Sequence, residues 1–226
     1  MEKALKAVKN PDNKLKFIRP LFERLNELLV EYYNQSRLIP DLALPSASKE
    51  ISLTPLIYHA AQTAYSGNNR QYLPAAEIPI FRGGTNSGRL DLALFSDKNI
   101  VMIECKSRRP KLYGNKTKET LIENALQQAA SQLNSAEVET LKFDENDLRR
   151  VVKVACVALN FVVPYSKYKK KGGASLEVDF NHMVSTIRAS SLHKCITSAV
   201  FYGPHSVNQP KGYISVGQLF VVKQVE

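Results

Sequence analysis

Between Ala75 and Lys106 the chain offers three strand-like segments with almost nothing between them: AAEIPIF (75–81), GRLDLALF (88–95) and NIVMIECK (99–106). The connectors, GGTNSG and SDKN, consist of residues that favour tight turns. Parallel neighbours would need a crossover of a dozen or more residues, so the spacing predicts an antiparallel meander. Everything else in the chain must fold around that sheet.

Pro20 opens a helical pattern over 20–37, with Leu21, Phe22, Leu25, Leu28, Leu29, Tyr32 and Tyr33 on one stripe. A second helix begins with Thr54 as N-cap and Pro55 in the first turn, and SGNN ends it. After the meander a helix is expected over 117–134, its apolar stripe including Leu121, Ile122, Ala125, Gln128, Ala129 and Leu133. RVVKVACVALNFVV (150–163) then reads as a long buried strand. The basic stretch SKYKKKGG (166–173) reads as a loop, CITSAVFYG and YISVGQLFVV as two closing strands, and residues 1–14 as a frayed basic start. We therefore expect a single α/β domain over 1–226, with a helical extension (1–48), a core (49–165) and a C-terminal α/β addition (166–226).

With 44% hydrophobic residues in 226, the chain has enough apolar material for one sizeable core. Its 31 Lys and Arg against 21 Asp and Glu leave a formal charge of +10, which favours a polyanionic partner, nucleic acid ahead of a membrane surface. The three cysteines (105, 156 and 195) form no CxxC pair and sit in apolar stretches, as buried free thiols of a reducing compartment do. No apolar run approaches ~18 residues and the N-terminus shows no leader-like apolar segment, so a cytoplasmic protein without a membrane span is expected.

The end of the third strand segment changes character. Side chains alternate along a strand, so Glu104 and Lys106 project to one face while Cys105 faces the other with Val101 and Ile103. In the preceding strand Leu90, Leu92 and Leu94 alternate onto one face, leaving Asp91 on the other with Arg89, Ala93 and Phe95. Pairing around SDKN brings Asp91 and Glu104 to one end of the sheet. Two carboxylates and a lysine suit Mg²⁺, a hard ion that takes oxygen ligands at ~2.0–2.1 Å. The same residues also make a simple ion-paired hairpin.

Asp91, thirteen residues before Glu104-Cys105-Lys106, resembles the D–ExK signature of the PD-(D/E)XK nuclease superfamily. The order helix, three-strand meander, helix, strand over 54–163 is similar to that family's core, a mixed central sheet flanked by helices (the restriction-endonuclease-like fold). Leu90 stands where the family often has proline. A second acid-x-lysine, Asp12-Asn13-Lys14, lies in a polar stretch with no strand and no suitable upstream aspartate. The resemblance implies a Mg²⁺-dependent DNA endonuclease, with Mn²⁺ a plausible substitute, that leaves a 5′-phosphate and a 3′-hydroxyl. Asp91, Glu104 and the Cys105 carbonyl would hold the ion, and Lys106 would orient or activate the attacking water. Some members add an upstream acid, for which Glu77 is preferred to Glu50, and a glutamine on the following helix, for which Gln128 is the candidate. The tyrosine that follows that glutamine in one branch is absent.

Arg108, Arg109 and Lys111 would flank the phosphate being cut, Arg89 would add a nucleic-acid contact, and Lys169, Lys170 and Lys171 would track the backbone of double-stranded or branched DNA. Homodimerisation is left open. The rival readings are a catalytically inactive or accessory nucleic-acid-binding protein that retains the fold, and an unrelated basic α/β protein.

Overall fold

A computed structural model describes residues 5–9, 15–36, 53–66, 71–82, 86–113, 118–142, 144, 146–205 and 212–226. The elements in chain order are β1 (Leu5–Lys9), α1 (Arg19–Ser36), α2 (Leu53–Ala64), β2 (Leu73–Arg82), β3 (Asn86–Phe95) and β4 (Asn99–Arg108). They continue with α3 (Lys118–Asn134), β5 (Arg150–Pro164), α4 (Tyr165–Ala189), β6 (Ile196–His205) and β7 (Tyr213–Val225). The seven strands form one sheet in the order β1-β6-β7-β5-β4-β3-β2. β2, β3 and β4 make the antiparallel meander that the short connectors dictate. After α3 the chain returns as β5, parallel to β4, and β7 and β6 extend the sheet antiparallel on its far side. The architecture is a mixed sheet with helices on both faces.

The sheet buries both faces. On one, Leu21, Phe22 and Leu25 of α1 and Leu56, Ile57 and Ala60 of α2 pack on Leu92, Leu94, Val101, Ile103, Val154 and Cys156. On the other, Ile122, Ala125 and Ala129 of α3 and Leu176 and Phe180 of α4 cover Met102, Ala155, Val157, Leu159 and Phe161. β5 lies centrally and is buried from Val154 through Val163, which explains a run of apolar residues without alternation. All three cysteines are buried and none of them forms a disulfide. Among the described residues no helix is long and apolar enough to cross a membrane.

Three expectations change. SKYKKKGG does not form a loop: Tyr165 to Lys171 are the first turns of α4, started by a 2.7 Å hydrogen bond from the Tyr165 N–H to the Gly212 carbonyl. Lysine is a good helix former, and its charge did not argue for a loop. The glycine pair does break the helix, because Gly172 takes φ 74° and ψ 167°, a conformation almost restricted to glycine. Within the start expected to be frayed, Leu5 to Lys9 pair with β6 and cover the edge it would otherwise expose, while 1–4 and 10–14 lie outside the described residues.

The third change bears on the site. Leu92 and Leu94 face α1 and α2, but Leu90 packs with Ile80 on the α3 side, so β3 changes face at Asp91. Across the ladder, Ala76 pairs with Leu92 and Ile78 with Leu90, which sets Glu77 opposite Asp91. Glu77 has φ 52°. A left-handed residue inside a strand rotates the residues on either side relative to each other, so strict alternation fails there.

Candidate active site

β3 and β4 pair only from Phe95↔Ile100 to Leu92↔Ile103. Beyond that point β4 runs on beside β5 as far as Arg108, while β3 runs back toward Asn86 beside β2. The two strands part like the arms of a fork, and Asp91 and Glu104 are the first residues past the last pair. At the fork the Cys105 N–H donates to Asp91 Oδ2 at 2.7 Å, a carboxylate taking the place of a ladder carbonyl.

Glu104 is only 3% exposed. It lies on the α3 side of β4 with Met102, and Cys105 packs into the opposite core, as strand alternation predicts. Burying a carboxylate costs several kcal/mol unless charges and hydrogen bonds compensate it. Two cations do so. Lys106 Nζ lies 3.2 Å from Glu104 Oε1, and Arg82 Nη2 lies 3.3 Å from Oε2. The Arg82 Nη2 also donates to the Arg89 carbonyl at 3.0 Å, so this last residue of β2 spans the fork from the hairpin arm to β4.

Sequence reading missed Arg82. It directly precedes GGTNSG in the sequence, and nothing in the local pattern says that its side chain reaches a residue 22 positions away.

Gln128 does not lie on the buried stripe of α3, where Leu126 takes its place. It is exposed and accepts a hydrogen bond from Arg108 Nη2, so it orients a cation at the end of β4 rather than facing the sheet. Glu77 pairs with Arg89 at 3.7 Å on the exposed side of the hairpin. Glu50, the other upstream acid considered, lies outside the described residues.

The basic residues gather at one sheet end. Leu112 N–H donates to the Val162 carbonyl and Val162 N–H to the Pro110 carbonyl, tying the segment after β4 to the end of β5, where α4 starts. Arg108, Arg109 and Lys111 therefore share the C-terminal end of the β4–β5 pair with the first turns of α4. Tyrosines interleave with the lysines: Lys111 lies 5.0 Å over Tyr213, Lys167 and Lys171 4.8 and 4.7 Å over Tyr113, and Lys169 4.8 Å over Tyr165. Lys171 also pairs with Asp179 at 2.9 Å, and Tyr113 donates its hydroxyl proton to the same carboxylate. Together they hold the Asp179 carboxyl below its ordinary range, the tyrosine hydrogen bond first and Lys171 second. Burial, reinforced by Asp179, pushes the Tyr113 phenol up.

Asp91, Glu104 and the Cys105 carbonyl offer hard oxygen donors at one fork, a set that fits Mg²⁺ or Mn²⁺ with water completing the shell. Among the described residues no three His, Cys, Asp or Glu side chains cluster as a metal site. Comparison with protein-family models, curated proteins and solved structures gives no match to this chain.

Proposed function

We propose that this protein is a metal-dependent nuclease with a restriction-endonuclease-like core, hydrolysing DNA phosphodiester bonds at the β3–β4 fork. The observation that carries the reading is the placement of Asp91 and Glu104 as the first residues past the last β3–β4 pair, with Lys106 beside Glu104. The run from α2 to β5, with β4 and β5 parallel, supports it, because that order is the one the D–ExK resemblance implies.

Asp91, Glu104 and the Cys105 carbonyl would hold a hard dication, which supplies Lewis acidity to a phosphoryl oxygen when bound. The Asp91 carboxylate, fixed by the Cys105 N–H, is held in one orientation. Lys106, 15% exposed at its side chain and anchored by Glu104, presents an ammonium where charge develops on the phosphorane and positions the attacking water. In-line attack on phosphorus with departure of the 3′-oxygen leaves a 5′-phosphate and a 3′-hydroxyl. Arg108, Arg109, Lys111 and the α4 lysines would bind flanking phosphates through charge.

One observation favours the rival, a nucleic-acid-binding protein without cleavage: both Glu104 oxygens already have cationic partners, as in a structural ion triad. The deciding experiment incubates linear, supercoiled, single-stranded and four-way-junction DNA with the protein in Mg²⁺, alongside binding in EDTA. The nuclease reading expects Mg²⁺-dependent cleavage that Glu104→Gln removes. Binding without cleavage of any substrate would leave the rival.

A further inference from the structure

Arg82 is the cation that joins the hairpin arm of the fork to β4 by its side chain. We propose that it is a positioning residue that holds the cation's side of Glu104 until a divalent ion takes its place, so that Arg82 pairing and ion binding compete. The inference rests on the proposed reading of the fork as a metal site.

Arg82 does not pair as a permanent clamp does. A charge-assisted arginine–carboxylate contact is usually about 2.7–2.9 Å and often bidentate. Here one nitrogen, Nη2, serves both Glu104 Oε2 at 3.3 Å and the Arg89 carbonyl at 3.0 Å. The buried Nε has no hydrogen-bond partner among the described residues. A buried donor with no acceptor among the described residues is a cost that a displaced pose would relieve. The guanidinium lies against Gly88, where an added Cβ would stand 2.8 Å from Nε and 3.3 Å from Cζ. Glycine at that position makes room for Arg82 to reach Glu104.

Charge gives the direction. Asp91 and Glu104 against Arg82 and Lys106 sum to zero at the fork. A dication arriving on the carboxylates meets the Arg82 charge within a few ångströms, a repulsion far above thermal energy even at an effective dielectric of about 20. Arg82 must then leave Glu104, and the Arg89 carbonyl is the acceptor that keeps it on β3.

The test titrates Mn²⁺ against the full chain without nucleic acid, following the free ion by electron paramagnetic resonance. Arg82→Met is expected to bind Mn²⁺ about tenfold tighter than the wild type or more, since a cation beside the site is gone. Gly88→Ala keeps the arginine but crowds it, and is expected to shift affinity the same way by a smaller factor. Arg82→Lys restores the charge and stays near the wild type. Asp91→Asn removes Mn²⁺ binding in both backgrounds. Equal or weaker binding in Arg82→Met and Gly88→Ala, at a site still lost in Asp91→Asn, overturns the role of Arg82 and leaves the proposed function standing. Absent Mn²⁺ binding, or binding indifferent to Asp91→Asn, overturns the metal reading and this inference with it. Should Arg82→Met not fold, Gly88→Ala decides alone.

Discussion

The backbone N–H of Cys105 donates a 2.7 Å hydrogen bond to Asp91 Oδ2 across the opening between β3 and β4. One carboxylate thus satisfies the polypeptide where the ladder stops. Structural and chemical roles of Asp91 are separable by substitution, because an asparagine oxygen still accepts the bond and an alanine does not.

Asp91→Asn is expected to change folding stability by no more than about 1 kcal/mol, the difference between a charged and a neutral acceptor. Mg²⁺-dependent cleavage should fall to background. Asp91→Ala should cost about 1–3 kcal/mol more, because the Cys105 N–H loses its acceptor. Denaturant melts of the three proteins beside a cleavage assay check this; full activity in Asp91→Asn would remove the residue from the site.

Lys106→Met is expected to lower turnover by several orders of magnitude while leaving DNA affinity in EDTA nearly unchanged, since one phosphate contact among many is lost. Arg108→Ala and Lys111→Ala should do the reverse, weakening binding and sparing kcat at saturating DNA. Single-turnover rates and EDTA binding curves separate the two patterns. A Lys106→Met protein with normal turnover and weakened binding would make the residue a phosphate contact only.

The first turns of α4 reach a phosphate backbone only if their lysines release counterions on binding. Log affinity should fall with log salt by ~0.9 per duplex phosphate neutralised, and replacing Lys169, Lys170 and Lys171 by alanine should make that slope shallower by roughly 1–3. Lys171 also supports Asp179, so the variant is compared at matched folded fraction. An unchanged slope would make this helix a solvated face.

Acid stability should depend on Asp179. Its carboxyl is held below the ordinary value of 3.8 by the Tyr113 hydroxyl and Lys171. The unfolded chain therefore binds more protons between the two values, and stability falls as pH drops through that window. The contribution is fully present above the ordinary value. Thermal melts from roughly pH 5 to pH 2 should show a shallower acid limb in Asp179→Asn than in the wild type. Parallel limbs would mean that the network carries no linkage.

What was legible in the sequence is what short-range physics specifies. Connectors of a few residues leave no path for a crossover, so GGTNSG and SDKN determined the meander. Alternation along β4 placed Glu104 and Lys106 together and Cys105 opposite, because side-chain direction in a strand follows the pleat. The long apolar run of 150–163 announced a central strand.

The rest was decided by contacts between distant segments. Asp91 stands at a change of face that a left-handed Glu77 on the neighbouring strand accompanies, and no period-2 count on β3 alone contains it. The lysines of 167–171 became helix because the Gly212 carbonyl accepts the Tyr165 N–H and Tyr113, from the segment after β4, lies under Lys167 and Lys171. Gln128 left the buried stripe for Arg108 at the end of β4. Arg82 meets Glu104 only once β2 and β4 are fixed on either side of β3 and the outer strands part. A buried carboxylate draws whichever cation the assembled fold puts within reach, and that choice is tertiary because the charges are brought together only after the strands are.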